Sequence, residues 1–183
     1  NIEENVEVSE GDTLFVINYA NIEEKIRREQ KRIEEKQQFI SDINKLLNDN
    51  IDIESEKYRT EWNYYIASLF ENQTKIDFYE KEVLAQNELC QKNIISEQEL
   101  LRYKTNYNNA VNQKENIKKQ FFNRWQSEQT SYELEIRDIK SLINQLTEER
   151  NKYIVIAPCS GSIMQFSGIK EGSFIAAGQT IAY

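Results

Sequence analysis

The sequence contains no histidine, and its 183 residues include only two cysteines. Without histidine, the chain has no Ser–His or Cys–His nucleophile pair, no imidazole general base and few routes to a zinc site. Cys90 and Cys159 do not make a disulfide framework and do not define a redox compartment. The composition therefore excludes most hydrolytic enzymes, and we expect no catalytic or metal-binding residues.

Glycine and proline are also scarce, with five Gly and one Pro in the whole chain. They are confined to Gly11 and to the residues from Pro158 onward, so residues 12–157 contain neither. Because these two residue types interrupt regular structure most strongly, the long segment without them is predicted to be helical almost throughout.

Positive charge is in deficit, with 23 Lys and Arg against 31 Asp and Glu and a formal net charge of -8. Binding a phosphate backbone requires a stripe of Lys and Arg, so the charge argues against a nucleic-acid partner. The longest strongly apolar run, Tyr153–Ala157, is far shorter than the roughly 20 residues that cross a bilayer.

The two ends of the chain, residues 1–18 and 153–183, are rich in Val, Ile, Thr and Phe, which favour strands. Within them, the segments 2–14 and 169–181 are each predicted to form three short strands, with turns at Asn5 and Gly11 in the first and at Gly172 and Gly178 in the second. The two ends also align with each other, Ile2–Leu14 over Ile169–Ile181, with identities at Ile2/Ile169, Glu4/Glu171, Gly11/Gly178 and Thr13/Thr180.

This internal repeat has a structural consequence if it is genuine. Neither copy is large enough to bury its apolar face alone, so the two ends are expected to pack together as one β domain. The alternative is a chance match, because four identities over an alignment of this length are few.

The middle of the chain carries apolar stripes at helical spacing. The first stripe is Ile22, Ile26, Ile33, Ile40, Ile43 and Leu47. After Asn48-Asp49-Asn50 the stripe resumes with a shift and then keeps a heptad pattern through Ile51, Tyr58, Trp62, Tyr65, Leu69, Ile76, Tyr79, Val83 and Cys90. The shift is compatible with a kink in one helix or with a break between two helices.

A new helix is predicted to begin at Ser96. Ser96 and Glu99 have the spacing of a capping box, and Ile95 and Leu100 have that of a hydrophobic staple. The return helix is therefore placed at about 96–150, after a tight turn at 91–96. Its narrow apolar stripe favours a coiled coil with the preceding helix, whose seam would hold the large aromatics Tyr58, Trp62, Tyr65, Trp125 and Tyr132.

The two arms of this hairpin differ in length. The outgoing arm is about 15 residues longer than the return arm, which is more than about 20 Å of helix at about 1.5 Å per residue. Both arms must join β halves that lie side by side. We therefore predict two outgoing helices, about 21–48 and 52–91, with the first packed beside the hairpin as a third helix.

The whole chain resembles the periplasmic membrane fusion (adaptor) proteins of the HlyD type. Ile154–Met164 has an apolar strand, an Ala-Pro step and a Gly turn, and Ile169–Ile181 follows with the spacing of Glu-Gly and Gly found in that family. The resemblance implies an α+β fold, with a long antiparallel coiled-coil α-hairpin inserted between two halves of a lipoyl-like (barrel-sandwich hybrid) β domain. The implied boundaries are 1–18, 19–152 and 153–183.

The resemblance also implies a function, and that function is not enzymatic. Adaptors of this family link an inner-membrane transporter, here expected to be of the ABC type, to an outer-membrane channel of the TolC type for secretion or efflux. They act as homo-oligomers, such as hexamers. The expected location is the periplasm, held at the inner membrane by an anchor that is absent from this chain.

Specific tip residues follow from the same resemblance. Many tripartite-pump adaptors carry an Arg at the hairpin tip, a Leu four residues later and a Ser or Thr seven residues further on. Leu89 and Ser96 match this spacing, but Ala85 stands at the Arg position. For Ser96, a helix cap and a partner contact are both open. The implied channel-binding residues are Leu89, Asn93, Ile94, Ile95 and Ser96.

Two other classes of protein share parts of this pattern. Lipoyl and biotinyl carriers place an attachment Lys in an exposed turn, but Gly11 and Gly178 are flanked by no Lys, and Lys170 precedes its turn. We therefore expect no cofactor.

A structural coiled-coil tethering or scaffolding protein would use the same heptads without a transport role, with the β ends as a dimerisation head. Ends that pack within one chain would argue against it.

Overall fold

The computed structural model describes residues 5–48, 51–176 and 178–183. Over these residues the protein is mostly helical, with a few short strands near its two ends. The elements in chain order are β1 (Glu7–Val8), β2 (Thr13–Val16), α1 (Ala20–Leu47), α2 (Glu56–Gln91), α3 (Glu97–Asn151), β3 (Ile154–Ile156) and β4 (Gly161–Ser162).

The chain divides into two compact units. One contains Asn1–Lys31 with Asp138–Tyr183, and is called the β unit below. The other is Arg32–Arg137, and is called the helical unit. α1 and α3 each contribute to both units, because each helix crosses a boundary between them.

In the β unit, strands from the start of the chain pair with strands from its end. β1 pairs antiparallel with β4, with Glu7 opposite Ser162. β2 pairs antiparallel with β3, with Val16 opposite Ile154 and a register shift between Thr13 and Phe15. The two ends of the chain therefore meet within one molecule, although the whole helical segment separates them in sequence.

The predicted turns of the internal repeat share one backbone conformation. Asn5 has a φ of 64° and its counterpart Gly172 a φ of 82°. Gly11 and Gly178 have φ values of 89° and 81°. A left-handed conformation costs L-residues with a Cβ about 1–2 kcal/mol, which explains why Gly and Asn occupy these positions.

The turns around Gly11 and Gly178 also share their hydrogen bonds. The Asp12 N–H donates to the Ser9 carbonyl at 3.1 Å, and the Gln179 N–H donates to the Ala176 carbonyl at 3.1 Å. In return, the Ser9 N–H donates to the Asp12 carboxylate at 2.8 Å, and the Ala176 N–H to the Gln179 side-chain oxygen at 3.0 Å. The two turns therefore have the same hydrogen-bond pattern at equivalent positions of the two copies, which supports the repeat.

The second copy differs from the first in its strands. Three strands were expected in each copy. In the first copy the structure has β1 and β2, and residues 1–4, where the other strand was expected, lie outside the described residues. In the second copy, the described residues of 166–183 form no strand. Instead, Met164 and Tyr183 exchange backbone hydrogen bonds of 2.7 and 2.8 Å, and the Ser167 N–H donates to the Ile181 carbonyl at 2.9 Å. The end of the chain therefore pairs with the segment that follows β4.

The helical unit is organised around an aromatic seam between α2 and α3. Trp125 and Tyr58 are fully buried, and Tyr65 lies 5.5 Å from Trp125 between ring centroids in an edge-on arrangement. Such pairs add roughly 0.5–1.5 kcal/mol beyond the burial of their area. The buried members of the cluster are Ile43, Leu46, Ile53, Tyr58, Tyr65, Phe121 and Trp125.

A polar network closes one end of this seam. The Tyr58 hydroxyl donates to the Glu128 carboxylate at 2.7 Å, and the Lys57 ammonium lies 2.7 Å from the same oxygen. Burial and the hydrogen bond to Glu128 raise the pKa of the Tyr58 hydroxyl. Burial alone would raise the pKa of Glu128, but Lys57 and Tyr58 outweigh it and leave that pKa below its ordinary value. The carboxylate therefore stays charged between its two donors.

α1 packs against this hairpin as a third helix within the helical unit. The Phe39 ring lies 5.8 Å from the Tyr58 ring and 5.5 Å from the Tyr132 ring. Lys36 of α1 forms an ion pair with Glu135 of α3. One aromatic side chain of α1 thus contacts both arms of the hairpin.

The junction between α1 and α2 differs from the sequence-based expectation. α2 begins at Glu56, not near residue 52, and Ile51 is 72 % exposed although the heptad pattern placed it in the seam. Ile53, at 6 % exposed, packs in the core in its place. Asp49 and Asn50 of the predicted kink or break lie outside the described residues.

Asp42 explains where α2 starts. Its carboxylate is fully buried on α1 and accepts the N–H groups of Glu54 at 3.0 Å and Ser55 at 2.8 Å. Ser55 is the N-cap residue of α2 but makes no side-chain capping bond of its own. The first N–H groups of a helix need acceptors, and here α1 supplies acceptors to the backbone that leads into the helix.

Asp42 is held in its ionised form. Burial by itself would raise the pKa of the Asp42 carboxyl. The Ser55 side chain, the backbone N–H groups of Glu54 and Ser55, and the charge of Lys45 outweigh this effect and lower the pKa below the ordinary value of 3.8. Because the pKa is lowered in the folded state, the ionised carboxylate contributes stability that is fully present above the unfolded-state pKa. That stability is lost as the pH falls through the folded-state pKa.

We expect Asp42→Ala to destabilise the helical unit by about 2 kcal/mol, because the N–H groups of Glu54 and Ser55 lose their acceptor at the start of α2. Asp42→Asn retains one acceptor oxygen and should cost less. Urea unfolding at pH 7, followed by the fluorescence of Trp62 and Trp125, measures the change. Exposed Asp138→Asn is the control and should change stability little. Equal stability of wild type and Asp42→Ala would contradict this account.

Candidate functional site: the tip of the α2–α3 hairpin

α2 ends in a compact backbone motif. Asn93 has a φ of 57°, and its N–H donates to the Cys90 carbonyl at 2.9 Å. The Ile94 N–H donates to the Leu89 carbonyl, also at 2.9 Å. This pair of bonds, closed by a left-handed residue just beyond the helix, is the Schellman motif, which satisfies the last carbonyls of a helix.

α3 begins with the capping box that the sequence predicts. The Glu99 N–H donates to the Ser96 hydroxyl at 3.2 Å, and the Ser96 N–H donates to the Glu99 carboxylate at 3.3 Å. The two residues therefore satisfy each other's backbone donors. The capping role of Ser96 is confirmed, whereas its role in partner binding stays a prediction.

The exposure of the apolar side chains at the tip is uneven. Ile94 is 63 % exposed, while Leu89 and Ile95 are half-buried. Leu84 in α2 and Leu101 in α3, on either side of the turn, are 62 % and 61 % exposed. Single exposed Leu residues are ordinary on a protein surface. Ile94 differs from them because it lies in the turn itself.

The charges around the turn are predominantly acidic. Glu88, Glu97 and Glu99 lie within a few residues of the turn, where Lys92 is the single basic residue. Glu97 and Glu99 occupy the first turn of α3, where carboxylates are favoured by the helix dipole. At the tip, the exposed apolar side chain of Ile94 is therefore flanked by acidic residues.

The five residues predicted for this site therefore have different roles. Asn93 and Ser96 shape the turn through their backbone conformation and capping bonds. Leu89 supplies a carbonyl to the Schellman motif and a half-buried side chain. Ile94 and Ile95 contribute side-chain surface. These five residues include no pair of groups placed for acid–base or nucleophilic chemistry.

Other places where chemistry could occur offer no stronger candidate. Among the described residues, no group of three or more His, Cys, Asp or Glu is placed to hold a metal ion. Both cysteines are free thiols, Cys90 half-buried and Cys159 exposed. None of the helices in the described ranges is long and apolar enough to cross a membrane.

The β unit contains an apolar groove of about 820 Å³. Its charged lining residues are Lys170 and Glu171, which belong to the turn where the Ser173 N–H donates to the Lys170 carbonyl at 3.0 Å. Lys170 is the first residue of this turn, so the sequence-based expectation that it precedes the turn is wrong. The remaining lining is mainly aliphatic and aromatic, including Leu14, Val16, Phe166, Ile169, Phe174 and Ile175.

Sequence reasoning overlooked the structural role of Asn93. An Asn that directly follows a helical stripe is a known signature of the left-handed residue after a helix. Gln91, Lys92 and Asn93 follow the stripe that ends at Cys90, so the signal was available.

The chain has few detectable similarities to known proteins. No protein-family model matches it, and no curated protein matches it. Among solved structures, it is similar to the periplasmic adaptor protein EmrA, with a TM-score of 0.46 and 18% sequence identity. The similarity covers 100% of this chain and 66% of that chain, so this chain spans slightly less than two thirds of the EmrA structure.

We expect Ser96→Ala to cost about 1 kcal/mol of local helix stability, because the Glu99 N–H loses its acceptor. Amide hydrogen exchange in the first two turns of α3 measures the effect. Ser127→Ala, at an exposed position much later in α3, serves as the control. Unchanged exchange near Leu100 in Ser96→Ala would show that the cap contributes nothing to the start of this helix.

Asn93 allows a second test of the same turn. Asn93→Ala should destabilise the tip by about 1 kcal/mol, because alanine is unfavourable in a left-handed conformation. Asn93→Gly should be neutral or stabilising, because glycine adopts this conformation readily. Amide exchange at Ile94 and Ile95 reports both variants. If alanine and glycine have the same effect, the backbone conformation is not the source of the stability.

Proposed function

We propose that this chain forms the hairpin and lipoyl-like part of a periplasmic adaptor of the HlyD type. In this proposal, the intact protein links an inner-membrane transporter, of the ABC type, to an outer-membrane channel of the TolC type. It is held at the inner membrane, assembles with copies of itself, and contacts the channel through the hairpin tip. It supports secretion or efflux without catalysing a reaction.

The observation that carries this proposal is the pairing of the two chain ends. β1 with β4 and β2 with β3 join a first half to a second half that repeats its turns. The residues between these halves form a helical hairpin with a third helix packed against it. A split β unit with an inserted hairpin is the plan that the sequence resemblance implies for adaptors.

The tip supports the docking part of the proposal. Asn93 shapes the turn through its backbone and Ser96 through its capping bonds, and the Ile94 side chain is exposed in the turn. An exposed apolar residue with a rigid backbone beneath it loses little conformational entropy when it binds. The acidic surround favours a partner surface with basic residues near an apolar pocket.

The outer side of α2 supports self-association. Phe70 and Phe78 are 75 % and 57 % exposed, and Ile66 is 44 % exposed. These residues lie on the side of the helix away from Tyr58, Tyr65 and Ile76, which face the seam. Large exposed aromatic residues along one helix favour contact with another protein surface.

The tethering or scaffolding alternative receives less support. That class would use the β ends to join two chains, whereas here each end finds its strand partner within the same chain. Ends that are already paired have fewer free backbone groups with which to form a dimerisation head.

Site-specific photo-crosslinking in cells tests the docking part of the proposal. The full-length protein would carry a photo-reactive amino acid at Ile94, or at exposed Ser127 on α3 as the control. We expect Ile94 to crosslink to a subunit of an outer-membrane channel, and Ser127 not to do so. The products are identified by mass spectrometry and by their loss when the channel gene is deleted.

Two results would contradict this function. One is a crosslink pattern in which Ile94 never reaches an outer-membrane channel although the protein is folded in the envelope. The other is equal capture of the channel at Ile94 and Ser127, which would indicate proximity without tip docking.

A further inference from the structure

One position of the α2 seam breaks the pattern set by its neighbours. Tyr58 and Tyr65 are buried one heptad apart, and Tyr79 is half-buried two heptads after Tyr65. Asn72 occupies the position between Tyr65 and Tyr79 and is 4 % exposed. A short polar side chain thus lies where the seam otherwise uses a large aromatic one.

The Asn72 side chain is not fully satisfied there. Its buried Oδ1 atom accepts no hydrogen bond from another protein group. A buried acceptor without a partner costs about 1–3 kcal/mol relative to a satisfied one. Most buried polar atoms in proteins are paired, so an exception calls for an explanation.

Polar residues lie beside Asn72 on both helices, although Ile117 and Phe121 line the same groove. The Lys114 ammonium donates to the Gln73 side-chain oxygen at 2.7 Å, which links α3 to α2 beside Asn72. Gln113 and Asn72 both line a groove of about 480 Å³ between the two helices. Asn72, Gln73, Gln113 and Lys114 are called the polar layer below.

The packing on the two sides of the polar layer is unequal. Toward the start of α2, the seam contains Tyr58, Tyr65, Phe121 and Trp125, reinforced by Ile43 and Leu46 of α1. Toward the tip, the buried apolar residues of residues 73–113 are Ile76, Leu100 and Ala110. Regions with fewer buried apolar contacts open at lower free energy than the core of the same protein.

We propose that the polar layer is a hinge that divides the α2–α3 hairpin into two cooperative units. The tip half, residues 76–110, opens and bends about this layer without unfolding the aromatic seam. Asn72 creates the boundary because it interrupts apolar packing, and the Gln73–Lys114 bond keeps the helices in register across it. This inference does not rest on the proposed adaptor function.

Native-state hydrogen exchange at low concentrations of urea tests the hinge. In the wild-type chain, amides of Tyr79–Val83 and Tyr103–Tyr107 should exchange with the same opening free energy and the same urea dependence, because they belong to one cooperative unit. Amides of Trp62–Tyr65 and Phe121–Trp125 should exchange at least about tenfold more slowly. Their exchange should depend more steeply on urea, because a larger part of the protein must unfold to expose them. Equal protection of the two halves, with one common urea dependence, would overturn the proposal.

Asn72→Leu tests the cause of the boundary. Apolar packing at this position should join the two units and slow exchange in the tip half by about tenfold or more. Asn87→Leu makes the same change at a half-buried position within the tip half and should leave the boundary in place. An unchanged boundary in Asn72→Leu would refute the role of Asn72. If that variant does not fold, the wild-type exchange pattern still decides whether the hinge exists.

Discussion

The pairing of β2 with β3 is the constraint on which the rest of the structure depends. Because Val16 lies opposite Ile154, the helical segment between them must return to the strand from which it departs. The return is made by one helix, α3, whereas the outgoing path is divided between α1 and α2. The division lets the longer outgoing path be accommodated by packing α1 against the hairpin, instead of extending the hairpin itself.

Two outgoing helices need a fixed junction between α1 and α2, called the corner below. Asp42 provides one, since its buried carboxylate binds the backbone at the start of α2 from a position on α1. Phe39 acts in the same region through its ring contacts with Tyr58 and Tyr132. A charged anchor and an aromatic anchor therefore stabilise the same corner. The cost of burying the charge is offset by hydrogen bonds that no apolar residue could supply.

Short-range signals account for the parts of the fold and of the tip that could be predicted. The Ser96–Glu99 capping box and the Gly and Asn turns depend on residues a few positions apart, so the sequence displays them directly. The start of α2 depends on Asp42, which is distant along the chain, and the heptad pattern therefore placed Ile51 in the core instead of Ile53. Asn72 has no local signal, because its effect depends on which α3 residues face it.

The distribution of polar groups along the hairpin follows from these constraints. At the tip, hydrogen bonds within the turn satisfy the backbone N–H groups of Asn93, Ser96 and Glu99. At Asn72 a buried acceptor is left without a donor in a part of the hairpin that is otherwise thinly packed. The first arrangement makes the turn rigid, and the second weakens the helices behind it. Bending at Asn72 changes the direction of the tip, whereas the hydrogen bonds within the turn hold the backbone around Ile94.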